Sequence, residues 1–395
     1  MKNHLLLLSK SSYIQLFLYL FVNGLFILKY LPRSGVNSTF SLAFYLVLVF
    51  GIVLVYRIYF HRISEKAFKL AYRILLIIMI LAIIGLLFKI DRYSVRVDRW
   101  SAVTFFLDNL FQGKYPYLAH THVSTTNFAS PFPLWHFINI PFYLMGDVGF
   151  GLIFFLLLTA YIIQVFFSDY RKSFFFLLML FLAPSYWWEV AVRSDSLSNA
   201  LVVFSFILWF QKRNYSLANQ FWLGVLACGL IATTRLSAIL PIALFFFKPY
   251  FQLSVKQKII FPLAVIGIII IFFLPFVFWD ATSWIFFSRN PFMSQTSVGN
   301  SYVLLSMVVL GGFAAFQWKN VNQFFSVTSV FLFIFILTSQ LSLLYSRGVQ
   351  GSVFDDSLYD VSYFTLLLPY CLAYLSVYIN SEKLMNNGHS TARRI

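Results

Sequence analysis

The sequence predicts an all-α membrane protein: a polytopic helical bundle of about 12 transmembrane helices forming a single integral membrane domain over residues 1–395. Three observations lead there. Of the 395 residues, 60% are hydrophobic and only 11% are charged, with a mean hydropathy of +0.81, too little polar surface for a soluble domain. Apolar runs of spanning length recur along the chain. Lys and Arg collect in alternate connections between those runs, as they do in cytoplasmic loops. The net charge of +16 is therefore assigned to topology and not to nucleic acid.

The N-terminal section, residues 1–90, holds three apolar segments at 13–31, 40–56 and 74–89. No small-residue cleavage site follows the first, so it reads as a retained helix. Residues 91–147 form a long loop. Within it, 101–111 sets Val103, Phe106, Leu107, Leu110 and Phe111 at helical spacing. That segment is too short to span and is expected to lie in the membrane interface. Gly113 ends it and Pro116 redirects the chain. A second apolar segment, 134–144, is bounded by Pro131, Pro133, Pro141 and Gly146.

Residues 148–395 supply the rest of the core. Apolar segments lie at 150–167, 259–279, 302–318, 324–344 and 363–378. Two further regions, 174–184 with 197–210 and 221–234 with 236–247, read as pairs of short helices. Cys228 and Cys371 sit inside apolar runs and suggest neither a disulfide nor a metal cluster.

With the N-terminus in the cytoplasm and every segment crossing, most of the 29 basic residues fall inside, among them Lys2, Arg57, Lys66, Arg171, Lys212, Lys256, Lys319, Lys383, Arg393 and Arg394. The acids do the opposite. Of the 13, only Glu65, Asp169 and Glu382 fall inside. Asp91, Asp98, Asp108, Asp147, Glu189, Asp195, Asp280, Asp355, Asp356 and Asp360 fall outside. Acids contribute little to topology. The bias reflects either longer, more polar outer loops or a site built from carboxylates.

Several residues invite chemistry. His120 and His122 sit two apart, but no third ligand of zinc-site spacing stands near, and solvated or hydrogen-bonded histidines account for them better. Glu189, Arg193 and Asp195 enter a membrane region together in "SYWWEVAVRSDS", where ionisable groups usually face a cavity or a partner. Ser194 or Asp195 could equally cap the next helix, and Trp187 and Trp188 suit an interfacial belt. Arg235 interrupts two apolar halves; it either satisfies helix carbonyls or holds an anion such as a phosphate.

The stretches "DRWSAVTFFLDNLFQGKYPY" and "SPFPLWHFINIPFYLMGD" resemble the first outer loop of the GT-C superfamily, membrane glycosyltransferases that take sugars from polyprenyl-phosphate carriers. "VRSDSLSNALVVF" is similar to that superfamily's second outer loop, and "GVLACGLIATTRLSAILP" to a later segment, with Arg235 where Lys is usual. The resemblance runs from about residue 98 to 249. More spans precede the loop than is common in the superfamily, and the C-terminal outer domain of many relatives is missing from this sequence.

The resemblance implies a GT-C-like fold and an inverting sugar transfer at the outer face of a bacterial cytoplasmic membrane, with both termini cytoplasmic. Asp98 would take the acceptor proton. Arg235, with Arg193 or Lys114, would hold the donor phosphate. Asp195 or Glu189 would orient the acceptor, or a divalent cation (Mg or Mn). The partners implied are a polyprenyl-phosphate sugar donor, a glycan or glycolipid acceptor and membrane lipid. The alternatives are a lipid-linked sugar flippase or transporter, for which no internal repeat is evident, and an O-antigen-type polymerase, whose late Arg-rich loops have only Arg289 and Arg347 as counterparts here.

Overall fold

The structure, a computed structural model, describes residues 10–280, 282–296, 301–355 and 360–378. Lys2, Asp356, Glu382, Lys383, Arg393 and Arg394 lie outside the described residues. The described chain is helical, and its β-type pairing is one isolated bridge between His120 and Phe128.

The first three helices are α1 (Lys10–Tyr30), α2 (Ser38–Tyr59) and α3 (Glu65–Lys89). Helix α3 begins a good two turns before the apolar run at residue 74. Ser64 caps it through Ala67 N, and Lys66, Lys69 and Arg73 ride on the helix itself. Long basic side chains can sit on a helix end and reach for water, which hydropathy alone hides.

The loop contains α4 (Arg99–Phe111), as its spacing predicted. Residues 134–144 form two helices, α5 (Pro133–Ile138) and α6 (Ile140–Leu144), because Pro141 sits in the first turn of the second and breaks the run at Asn139. Helix α4 buries Trp100, Val103, Phe106 and Leu107 against Tyr117, Trp135, Phe155 and Phe276 in a cluster separate from the main core. Each such side chain is worth roughly 1.5–3 kcal/mol relative to exposure to water.

The chain continues through α7 (Phe150–Phe167), α8 (Tyr170–Phe181), α9 (Pro184–Ala191), α10 (Asp195–Lys212), α11 (Phe221–Ala232) and α12 (Leu236–Phe251). Helix α9 occupies what reads in sequence as a connection. Its axis bends 64° from α8 at Pro184. Then come α13 (Val255–Val277), the short α14 (Ile285–Ser288) and α15 (Pro291–Thr296), α16 (Ser301–Gln317), α17 (Val321–Ser339), α18 (Leu341–Val349) and α19 (Leu368–Tyr378), the last entered through a 3-10 stretch, Val361–Leu367.

Among the described residues, 7 helices are long and apolar enough to cross a membrane, or up to 8 if the bent α8–α9 pair is one span. Helices α11 and α12 and the apolar part of α16 are shorter. The segment 361–378 is 83% buried by its neighbours, whereas α13 is 11% buried and presents its sides outward, as a lipid-facing helix would.

Candidate functional site

Five segments converge at the end of the bundle that carries the start of α4. Helix α1 ends there with Lys29 and Tyr30, followed by Arg33. Helix α9 ends there with Trp188 and Glu189, followed by Val192. The start of α4 and the residues just before it contribute Arg96 to Arg99, the loop contributes Val123 and Asn127, and the entry to α19 contributes Asp360 and Ser362. Together they line a cavity of about 220 Å³, the liquid volume of roughly seven waters.

Asp98 stands at the N-cap of α4, yet its side chain makes no cap hydrogen bond. The backbone carbonyl of Asp98 starts the helix instead, accepting from Ala102 N at 2.9 Å and from Ser101 Oγ at 3.1 Å. The carboxylate turns to the cavity, where Oδ2 accepts from Asn127 Nδ2 at 3.2 Å. Glu189 is 1% exposed, and neither of its carboxylate oxygens has a hydrogen-bond partner. Beside it, the Tyr30 and Trp188 rings stack with centroids 3.6 Å apart.

Arg99 pairs with Asp360 and donates to Ser362 Oγ at 2.7 Å and Ser196 Oγ at 2.7 Å. Burial opposes the Asp360 charge, but Arg99, the Ser362 hydrogen bonds and Lys29 together outweigh it and hold the carboxyl below the usual carboxylate range. Ser196 also receives Arg235 Nη1 at 2.7 Å. Arg235 in turn pairs with Asp195 at 2.9 Å and reaches Ser130 Oγ at 3.5 Å. A chain of contacts thus runs Asp360, Arg99, Ser196, Arg235, Asp195. The loop is pinned beside it, since Phe132 N and Leu134 N donate to the carbonyls of Thr234 and Thr233.

Three sequence-derived candidates stand elsewhere. Arg193 occupies the left-handed position after α9 (φ 52), where Gly is usual, and its N–H closes onto Val190 O. Its guanidinium points away from the cavity, to Asp147 Oδ2 at 2.8 Å and the carbonyls of Leu87 and Ile90. Those bonds offset the strain. Lys114 lies beyond the far end of α4, exposed, on Gln112 Oε1. Asp195 is the first residue of α10, which Ser194 caps. The sequence reading missed Lys29, Arg33 and Asp360 as neighbours of Asp98, and it gave Arg96 and Arg99, which adjoin Asp98 in the chain, no role at the site. Arg99 and Asp360 are 261 positions apart, and only folding brings them together.

The acids bunched outside in the sequence now divide by use. Asp91 and Asp280 hold turns. Asp108 accepts from Tyr143 and Asp355 from Gln350. Asp147, Asp195 and Asp360 pair with arginines. The carboxylates of Asp98, which accepts from Asn127, and of Glu189, whose oxygens have no hydrogen bond within 3.5 Å, do not hold the fold together.

His122 is occupied at both ring nitrogens, by Ser101 Oγ at 2.7 Å and Val95 O at 2.9 Å, and His120 is exposed. Among the described residues no three His, Cys, Asp or Glu side chains group as a metal site. The cavity carboxylates share their space with Lys29, Arg33, Arg96 and Arg99, a donor set that does not fit a divalent cation. Comparison with protein-family models, curated proteins and solved structures finds no match to this chain.

Proposed function

We propose that this chain is a membrane glycosyltransferase that moves a sugar from a polyprenyl-phosphate-linked donor to a glycan or lipid acceptor, with Asp98 as the general base. The observation that carries the reading is the Asp98 carboxylate. It heads a helix it does not cap and faces a cavity lined by a second carboxylate and by cations.

The chemistry requires that combination. The acceptor hydroxyl oxygen attacks the anomeric carbon while its proton passes to Asp98. The bond from that carbon to the phosphate oxygen breaks, and the electron pair leaves with the polyprenyl phosphate. Attack from the face opposite the leaving group inverts the anomeric centre. The negative charge on the departing phosphate needs a cation in the same cavity. Asp195, paired with Arg235, acts at one remove by holding the wall behind the site.

The GT-C-like architecture belongs to the same proposal. The bent α8–α9 pair, α10, α11, α12 and α16, added to the seven long helices, give about twelve crossings. With the N-terminus cytoplasmic, the cavity then opens on the outer face. The test is direct. Purified protein in bilayers, given polyprenyl-phosphate sugars and candidate acceptors, should transfer sugar and release polyprenyl phosphate. Equal release by Asp98→Asn would defeat the reading.

A further inference from the structure

We propose that the groove between α2, α3 and α8 is a binding site for one anionic phospholipid, with an acyl chain laid along α2 and the phosphate held by Arg62 and Lys66. The site lies away from the cavity at Asp98, and nothing in it depends on the transferase reading.

The groove comes from how α2 packs. That helix leans on the start of α8, where Tyr56 Oη donates to Arg171 O at 2.6 Å, but it is only 17% buried by its neighbours. Between it and the bundle runs a groove of about 470 Å³. Val47, Gly51, Val55 and Tyr59 of α2 form one side, and Phe68 of α3 and Phe174 of α8 the other. Among the described residues, no charged side chain lines it. A Cβ at Gly51 would meet nothing within 4 Å, so the glycine leaves the middle of the groove open. The run from Val47 to Tyr59 is about 18 Å of helix, at about 1.5 Å per residue. One leaflet supplies about 15 Å of a hydrocarbon core roughly 30 Å thick. The groove therefore matches an acyl chain of one leaflet, and is too short for a partner helix that crosses both.

The charge lies at one end. Residues 57–73, which close α2 and open α3, hold Arg57, Arg62, Lys66, Lys69 and Arg73 against Glu65 alone. Ile63, in the turn between the two helices, lines the groove. Arg171 Nη2 donates to its carbonyl at 3.1 Å, so the start of α8 stands at the same lip. The Arg62 guanidinium lies 5.3 Å over the Tyr59 ring, itself part of the groove wall. Lys66 is exposed and, among the described residues, makes no hydrogen bond or ion pair. A planar fork and an ammonium at the mouth of an apolar channel suit a phosphate whose chains run into lipid. A lipid without net charge would leave these cations unmatched. Basic segments draw anionic lipid to a membrane surface in general; the groove fixes where one molecule stays.

The experiment uses the full-length chain in nonionic detergent. The probes are dioleoyl phosphatidylglycerol and dioleoyl phosphatidylcholine, and native mass spectrometry counts bound lipid. One phosphatidylglycerol should be held at least tenfold more tightly than phosphatidylcholine. Arg62→Gln/Lys66→Gln should weaken phosphatidylglycerol at least fivefold and leave phosphatidylcholine unchanged. Lys256→Gln/Lys319→Gln, which removes two exposed lysines at the starts of α13 and α17, should change neither. Gly51→Leu fills the groove without touching the cations and should weaken phosphatidylglycerol at least fivefold. Leucine is also the better helix former, so α2 persists. Equal retention of the two lipids overturns the proposal. So does an equal loss in the two charge variants, which would make the attraction a property of the whole basic face. Unchanged phosphatidylglycerol binding in Gly51→Leu takes the chain out of the groove and overturns it too. A parent protein that is dimeric, and that Gly51→Leu makes monomeric, would assign the groove to a second copy instead.

Discussion

Arg99 and Arg235 donate to the same oxygen, Ser196 Oγ, each over 2.7 Å. The hydroxyl has two acceptor positions, and the two guanidinium groups fill both. Ser196 is 2% exposed, so water has little access to replace it. Ser196→Ala should therefore strand two N–H donors between neighbouring cations. The expected loss is about 2–6 kcal/mol, at roughly 1–3 kcal/mol per buried unsatisfied group. Thermal unfolding of purified protein measures it. A loss below about 0.5 kcal/mol would mean that the two arginines do not depend on this contact.

The Asp195–Arg235 pair, with side chains 7% and 5% exposed, should behave as a buried ion pair. Removing either partner alone leaves an uncompensated charge and should cost about 3–5 kcal/mol. Asp195→Leu combined with Arg235→Met should cost clearly less than either single change. A double-mutant cycle on unfolding reads the coupling. Additive effects would show that the contact carries no coupling and would reopen a ligand role for Arg235.

The legible part of the fold was the part governed by composition. Apolar runs gave the long helices, and a 3.6 period gave α4 within its loop. Asp98 was legible because it heads that helix. The illegible part was tertiary. Lys29, Arg33 and Asp360 sit at the ends of α1 and before α19, and nothing local ties them to Asp98. Arg193 and Arg235 looked like ligand-binding arginines because both interrupt apolar sequence. Asp147 and Asp195, which occupy them, are identifiable only once the helices have packed. Helix α9 was hidden because its charged and aromatic residues resemble a loop, whereas they line a cavity and stack on Tyr30.

His136 should set a pH dependence of stability. It is fully buried, stacks on Phe106 at 3.6 Å, and bonds Pro131 O at 3.1 Å. Burial pushes the imidazole down to about 3, against its ordinary 6.5. The unfolded chain therefore binds a proton that the folded chain refuses between those values. Stability is full above about pH 6.5 and falls as the pH drops toward about 3, by up to roughly 1.4 kcal/mol per pH unit. His136→Gln can keep a donor to Pro131 and removes the titration. Its unfolding temperature should be flatter between about pH 6.5 and 4.5. An unchanged slope would assign the acid sensitivity to other groups.

Asp98→Asn separates a catalytic carboxylate from a structural one. Asn keeps the shape, and because Asp98 makes no side-chain cap bond, no helix cap is lost. The 3.2 Å contact with Asn127 can persist through the remaining amide oxygen. Stability should therefore stay within about 0.5 kcal/mol of the parent. Only the proton acceptor disappears. If Asp98 takes the acceptor proton as the new bond forms, sugar transfer should fall roughly 10²–10⁴-fold, the usual worth of a positioned base. Asp98→Glu, which restores a carboxylate at a displaced position, should recover part of that loss. A group that merely helped the cavity hold its shape would behave the other way round, with transfer near normal in Asn and worse in the longer Glu. The measurement is single-turnover transfer from a polyprenyl-phosphate sugar, with thermal unfolding of the same preparations. A folded Asp98→Asn protein transferring at near-parent rate would remove Asp98 from the chemistry.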